Sequence, residues 1–224
     1  MSRKIRILGI VPARGGSKGI KGKNIIDLGG MPLIAHTLIS AKGSLLDDVI
    51  VSTDSESVKE VAERYGATVV IRPPEIARDE TPTFDVLKYH LNNGFSGYDF
   101  VMILQPTSPF RSREDIDQAI SLCEDGSEVI SFSEVDEHPF YMYRILEGKM
   151  TPLMEESKNF LRRQDFPKCY IRNGVIYLLD AKKMLKREKI LPDSFKHMII
   201  PKERAVNIDT MDDLELARYM IRRN

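Results

Sequence analysis

The residues with the most chemistry in this chain lie together near its start, in Val11-Pro-Ala-Arg-Gly-Gly-Ser-Lys-Gly-Ile-Lys-Gly-Lys-Asn24. An apolar run breaks there into a loop in which glycines alternate with cations. Gly15, Gly16, Gly19 and Gly22 are expected to adopt positive φ and turn backbone N–H groups toward an anion. Arg14, Lys18, Lys21 and Lys23 supply charge. The loop therefore reads as a polyphosphate site. It is not the P-loop of ATPases: counted from Gly15, the second glycine of that motif falls on Ile20, and counted back from Gly22-Lys23, the first falls on Ser17. Nor does it have dinucleotide spacing, because Ser17 stands where G-x-G requires glycine, which disfavours a nicotinamide or flavin cofactor.

Two further constellations carry polar groups that such a site would need. Leu104-Gln-Pro-Thr-Ser-Pro-Phe-Arg111 begins at the end of an apolar run and is stiffened by two prolines. Gln105, Thr107 and Ser108 offer an amide and two hydroxyls to a hydroxylated ligand. In Asn207-Ile-Asp209, extended backbone puts Asn207 and Asp209 on one face. A carbonyl beside a carboxylate suits a hard cation such as Mg2+, which takes its remaining ligands from water and substrate phosphates. Asp212 and Asp213 are expected instead in the first turn of a helix. Val51-Ser-Thr-Asp54 ends one strand in polar groups, and Ile71-Arg-Pro-Pro-Glu75 ends another in an arginine, Arg72, that can meet a base or a phosphate. His36 and His90 fall on apolar helical stripes and read as packing residues.

The elements that would position these groups follow from periodicity. Buried strands are expected at Ile5 to Val11, Val49 to Ser52, Thr68 to Ile71, Phe100 to Leu104, Val129 to Phe132 and Val175 to Leu179. Amphipathic helices lie between several of them, with Val58, Val61, Ala62 and Tyr65 on one stripe and Ile116, Ala119, Ile120 and Cys123 on another. Ser112 with Asp115, and Thr210 with Asp213, resemble capping pairs that open helices, the second running to about Arg222. Alternating strands and helices imply an α/β fold, a mostly parallel sheet with helices on both faces. The alternation fails over 136–173, an aromatic, basic, proline-punctuated excursion expected to carry short strands of its own and to serve as a lid or subunit contact.

Composition narrows the function classes. The 224 residues carry 33 basic and 33 acidic side chains, a balance that argues against a nucleic-acid binder. Cys123 and Cys169 have neither metal nor disulfide spacing, which suits a reducing cytoplasm, and Cys123 is expected in the core. No run approaches a membrane span or a signal sequence.

In combination, the motifs resemble the acylneuraminate cytidylyltransferases. The resemblance runs from Pro12-Ala-Arg-Gly-Gly-Ser-Lys-Gly-Ile-Lys-Gly-Lys-Asn24 and Gly30-Met-Pro-Leu-Ile-Ala through Leu104-Gln-Pro-Thr-Ser-Pro and Arg162-Arg-Gln-Asp-Phe-Pro167 to Asn173-Gly-Val-Ile-Tyr177 and Asn207-Ile-Asp-Thr210. It implies a Rossmann-like nucleotide-diphospho-sugar transferase fold, one domain over 1–224 with 136–173 as a dimerisation excursion reaching over the partner's site, and hence a homodimer. It also implies a Mg2+-dependent transfer of CMP from CTP to the anomeric 2-hydroxyl of a nine-carbon 2-keto sugar acid, with release of pyrophosphate. The acceptor that the resemblance implies is N-acetylneuraminate or, by the same chemistry, legionaminate or pseudaminate.

By the same resemblance Arg14, Gly15, Ser17, Lys23 and Asn24 would hold the CTP phosphates, Arg14 and Lys23 acting in catalysis. Arg72 and Thr83 would contact the cytidine. Gln105, Thr107 and Ser108 would touch the sugar, Arg163 and Gln164 would meet its carboxylate end, and Asp209 with Asn207 would hold the metal. Many relatives have a carboxylate where Asn207 stands, and Tyr-Arg-x-Asn-Gly where this chain reads Tyr170-Ile-Arg-Asn-Gly174. The chain is also expected to lack the hydrolase domain appended in some relatives. Two other readings are a sugar-1-phosphate nucleotidyltransferase and a non-catalytic nucleotide-binding module.

Overall fold

The computed structural model describes residues 4–17, 19–159 and 162–223. Seven strands form one sheet: β1 (Ile7–Pro12), β4 (Asp48–Thr53), β5 (Thr68–Ile71), β6 (Phe100–Ile103), β7 (Val129–Glu134), β10 (Tyr170–Asp180) and β11 (Lys196–Ile199), in the order β11-β7-β10-β6-β1-β4-β5. Every neighbouring pair is parallel except those of β10, which runs antiparallel to β6 and β7. Two hairpins stand apart, β2 (Asp27–Leu28) with β3 (Met31–Pro32), and β8 (Tyr143–Leu146) with β9 (Lys149–Pro152).

Alternation along the central strands sends side chains to two cores. Ile7 and Val11 of β1 and Phe100 and Met102 of β6 face α1 (Leu33–Ala41), α2 (Glu56–Arg64) and α4 (Arg113–Leu122). Leu8, Ile10, Val101 and Ile103 face α3 (Thr83–Asn92) and α5 (Ala181–Arg187). Helices thus cover both faces, and the near-continuous apolar runs in β1 and β6 are what a sheet buried on both sides requires. A third cluster joins Ile20, Leu28, Leu33 and Ile208 to Leu214 and Ala217 of the last helix, α6 (Met211–Arg223).

The caps read from sequence are made. Ser112 and Asp115 form a reciprocal capping box at the start of α4. The Asp213 carboxylate accepts from the backbone N–H and the hydroxyl of Thr210, each at 2.8 Å. Cys123 is buried.

Two expectations need correction, and one strand was not among them. Thr68–Ile71 forms its strand at the edge of the sheet, pairing with β4 alone, so both its end residues are exposed rather than buried. β10 begins at Tyr170 rather than Val175, so residues 170–172 pair with β7 and the excursion gives up its final four positions to this strand. The sequence reading does not include the strand Lys196–Ile199, because its apolar stretch, Met198 to Ile200, is only three residues long behind Lys196 and His197, and pairing with β7 defines it.

Replacing Ser112 by Ala removes the side-chain half of the capping box and is expected to cost about 1 kcal/mol of stability. A denaturant titration checks this; an unchanged midpoint would show that Asp115 caps α4 alone.

Candidate active site

The carboxyl ends of β1, β4, β5 and β6 lie at one end of the sheet, and the segments that leave them meet over a cleft of about 500 Å3. β1 contributes Pro12, Arg14, Ser17, Gly19, Lys23 and Asn24; β5 contributes Arg72, Arg78, Asp79 and Thr81, with Thr83 and Val86 from α3. Gln105, Pro106 and Thr107 come from the end of β6, and Asn207 and Asp209 from the segment before α6. Most of the residues singled out from sequence are therefore brought together.

Local packing explains how distant segments converge. Ile208 is fully buried between exposed Asn207 and Asp209, and its backbone N–H donates to Thr107 O at 2.8 Å. The same apolar cluster takes Ile20 from the first loop. Lys23 Nζ consequently reaches Asp209 Oδ1 at 2.8 Å, and Asn207 donates its amide to the other carboxylate oxygen. The glycines act differently from expectation. Of Gly15, Gly16, Gly19 and Gly22, Gly22 alone has positive φ, whereas a Cβ on Gly19 would lie 2.5 Å from Asp209 O. Gly19 is required by close approach of two backbones.

The remaining candidates separate by position. Asn24 is buried and donates Nδ2–H to Arg14 O at 2.8 Å, shaping the loop while lining the cleft. Gly15 lies outside the lining because its N–H is held by Asp54 Oδ1 at 2.9 Å. Ser108 turns inward, fully buried, with no partner for its Oγ. Arg163 and Gln164 sit on an exposed 3-10 turn of the excursion, where Arg163 donates to Asp136 O at 3.0 Å beside His138 and Phe166. They do not join this cleft, because the excursion leaves the sheet at β7, two strands away from β6. Lys18 lies outside the described residues, and Lys21 is exposed away from the lining. Arg172 precedes a register shift in β10 that breaks the strand's alternation.

Arg78, Asp79 and Thr81 were not foreseen. The signal was present in the proline-bracketed, charge-rich run between Arg72 and Thr83, which directly follows a strand. Asp79 pairs with Arg14 across the mouth of the cleft. Arg72 is 5 % exposed and its Nε has no hydrogen-bond partner. Burial lowers its pKa, opposed by the Asp54 charge. Beneath Gln105, buried Arg111 donates to Gln105 O, Val175 O and Thr37 Oγ1, and burial brings its pKa down to about 10.

Among the described residues no three His, Cys, Asp or Glu side chains cluster as a metal cage. The Asp209 carboxylate, 61 % exposed and facing the cleft beside the Asn207 amide, fits a cation that draws most of its ligands from a bound phosphate and water.

A family model described as "Cytidylyltransferase" matches residues 8–220. The chain belongs to the cytidylyltransferase family. It is 35% identical over 210 residues to an N-acylneuraminate cytidylyltransferase of Streptococcus agalactiae, covering 91% of this chain and 50% of that protein. It is 32% identical over 232 residues to the CMP-N,N'-diacetyllegionaminic acid synthase of Legionella pneumophila, covering 98% of each. The chain spans about half the length of the N-acylneuraminate cytidylyltransferases it matches. Its fold is that of a CMP:2-keto-3-deoxy-manno-octonic acid synthetase solved with CTP, at TM-score 0.73 and 16% identity over 97% of this chain and 99% of the other.

Gly19→Ala is expected to push the first loop away from the Asp209 backbone. Amide hydrogen exchange should accelerate across 205–210 and stay unchanged in β1; equal protection in variant and wild type would remove the close-approach argument.

Proposed function

We propose that this cytidylyltransferase transfers CMP from CTP to the anomeric 2-hydroxyl of a nine-carbon 2-keto sugar acid, releasing pyrophosphate. The observation that carries the reading is the convergence of Arg14, Ser17, Lys23, Asn24, Arg72, Gln105, Thr107 and Asp209 on one cleft at the carboxyl ends of the strands. Ser17 and the cations of the first loop bind the triphosphate. Arg14 does so by exchanging the Asp79 carboxylate for phosphate oxygens. Arg72, with a buried donor lacking an acceptor, and Thr83 are the groups for the base. Gln105 and Thr107, from the end of β6, hold the sugar.

The chemistry asked of the protein is placement and charge neutralisation. The sugar hydroxyl gives its proton to the Asp209 carboxylate or to water as its oxygen attacks the α-phosphorus in line and the bond to pyrophosphate breaks, and Arg14 and Lys23 cover charge building on the leaving group. Mg2+, held by Asp209 and Asn207, would neutralise phosphate charge when bound. Asp209 is itself oriented by Lys23, so losing either member disturbs the other.

Legionaminate stands beside N-acetylneuraminate as a proposed acceptor, supported by the similarity to a legionaminic acid synthase over 98% of its length, with pseudaminate third, supported by the similarity to a pseudaminic acid cytidylyltransferase of Campylobacter jejuni over 96% of its length. Arg163 and Gln164 act on the cleft of a second copy. Two features support this: their separation from the cleft of their own chain, and the exposed Tyr143, Ile145 and Met150 on the hairpin that precedes them. We further propose a cytoplasmic homodimer with one catalytic domain per chain that uses neither nucleic acid nor membrane; the charge balance supports this.

The test is pyrophosphate release from CTP and Mg2+ with the three acids offered separately. One strong signal fixes reaction and acceptor; CTP binding with silence on all three would refute the acceptor class. Asp209→Ala should nearly abolish turnover with the melting temperature kept, and Arg14→Ala should lower kcat/KM for CTP by about two orders of magnitude, as for a lost charged contact to a transferring phosphate. Mixing inactive Asp209→Ala with inactive Arg163→Ala should restore activity that neither has alone. No recovery in mixed dimers would confine Arg163 to its own chain.

A further inference from the structure

Among the described residues, three buried side-chain atoms lack a hydrogen-bond partner: Arg72 Nε, His90 Nδ1 and Ser108 Oγ. Arg72 lines the cleft, and His90 lies behind the lining, close enough for the Arg72 charge to act on it. His90 lies on α3, one turn below Val86 and two below Thr83, on the helical face that lines the cleft, and it is fully buried. Its Nε2 meets Ser52 Oγ at 2.7 Å near the end of β4, and the rings of Tyr89 and Phe95 pack edgewise on it at 5.3 and 6.1 Å. Arg72 leaves the adjacent strand and is tied to the same end of β4 by its own N–H, which donates to Thr53 O at 2.8 Å. Burial, with the Arg72 charge adding to it, lowers the imidazole pKa to about 4, so the ring is neutral at physiological pH.

A neutral imidazole has one N–H and one lone pair. With the proton on Nε2, donated to the Ser52 hydroxyl oxygen, Nδ1 becomes a buried acceptor without a donor. Arg72 Nε–H is a buried donor without an acceptor. Each costs its desolvation until paired, and a neutral acceptor is the partner that leaves the guanidinium charge intact.

We propose that His90 is a positioning residue for Arg72: the Nδ1 lone pair, held in that tautomer by Ser52, takes the Arg72 Nε–H and aims the outer guanidinium nitrogens at the nucleobase. The bond completes as Arg72 engages a base. This rests on the nucleotide reading above and deepens it by naming the group that sets the angle of the base-reading arginine, and with it the discrimination of cytosine from uracil.

Asn and Gln separate the two ring nitrogens. His90→Asn places an acceptor near the Nδ1 position, and His90→Gln keeps a donor near Nε2 for Ser52 but offers nothing to Arg72. Dissociation constants for CTP and UTP are measured by calorimetry on each variant, with melting temperatures alongside. His90→Gln should lose about tenfold or more of the CTP-over-UTP preference, and His90→Asn should keep most of it. Ser52→Ala, which frees the tautomer with little change of volume, should shift the ratio the same way as His90→Gln and decides the matter if that variant does not fold. An unchanged ratio in His90→Gln or Ser52→Ala, or equal losses in both His90 variants, would overturn the positioning role and leave packing. Wild-type protein with no preference for CTP would overturn the nucleotide reading itself, a different result from wild-type preference that survives in every variant.

Discussion

The site depends on one buried methyl-rich side chain. Ile208 is sealed in a small core with Ile20 and Leu214, so the segment that carries Asn207 and Asp209 cannot lift from the first loop without exposing apolar surface from three directions. Burying an isoleucine is worth about 2 kcal/mol. The backbone bond from Ile208 to Thr107 adds direction by fixing this segment against the turn that carries Gln105. Because extended chain alternates, sealing Ile208 obliges its two polar neighbours to face the other way, into the cleft. The contact between Lys23 and Asp209, 186 residues apart, is thus a consequence of apolar packing. The ion pair does not hold the segments together; with Asp209 largely exposed, its attraction is screened and contributes little.

An anion site in a charge-balanced chain must keep its cations soluble and separated until a ligand arrives. Here the cleft supplies its own carboxylates, Asp79 for Arg14 and Asp209 for Lys23. Each pair joins two segments, so the cations are oriented as well as neutralised. A ligand of high negative charge gains by exchanging these partners; a neutral one gains nothing from them. Arg72 differs. It is buried, makes no ion pair among the described residues, and lies near enough to His90 for its charge to add to the lowering of the imidazole pKa, an arrangement suited to directional hydrogen bonding of a flat polar group more than to bulk charge attraction.

Where the sequence was legible, one local cause dominated. Alternating or continuous apolar runs set β1, β4 and β6, and side-chain-to-backbone bonds set the starts of α4 and α6; such causes act within a few residues and can be read directly. The edge position of β5 was not legible, because Thr68 to Ile71 has the same β-branched composition as a central strand and only partner count distinguishes them. The loop glycines illustrate the same limit. Their identity was visible, but the reason for Gly19 is the carbonyl of a residue 190 positions later. Arg78 and Asp79 escaped because single charges in a loop carry no period. Motif order supplied what local reading did not, tying Asn207 and Asp209 to the first loop before any contact between them was visible.

The excursion poses the opposite problem, a segment whose own packing is insufficient. Its hairpin has two strands of four residues, below what stands alone in water, and it points Tyr143, Ile145, Leu146 and Met150 outward. What anchors it is polar and aromatic: the His138–Phe140–Phe166 cluster, His138 bonded to Pro167 O at 2.9 Å, and the Lys202–Asp136 pair. These fix the base of the hairpin and leave its tip bare. A bare apolar tip near Arg163, which donates to the backbone carbonyl of Asp136, has the composition of an interface core with a charged rim. The same geometry that keeps Arg163 from its own cleft leaves it at the surface beside the bare hairpin, which is why the proposed second copy would answer both at once, covering the apolar tip and bringing a cleft within reach of the guanidinium.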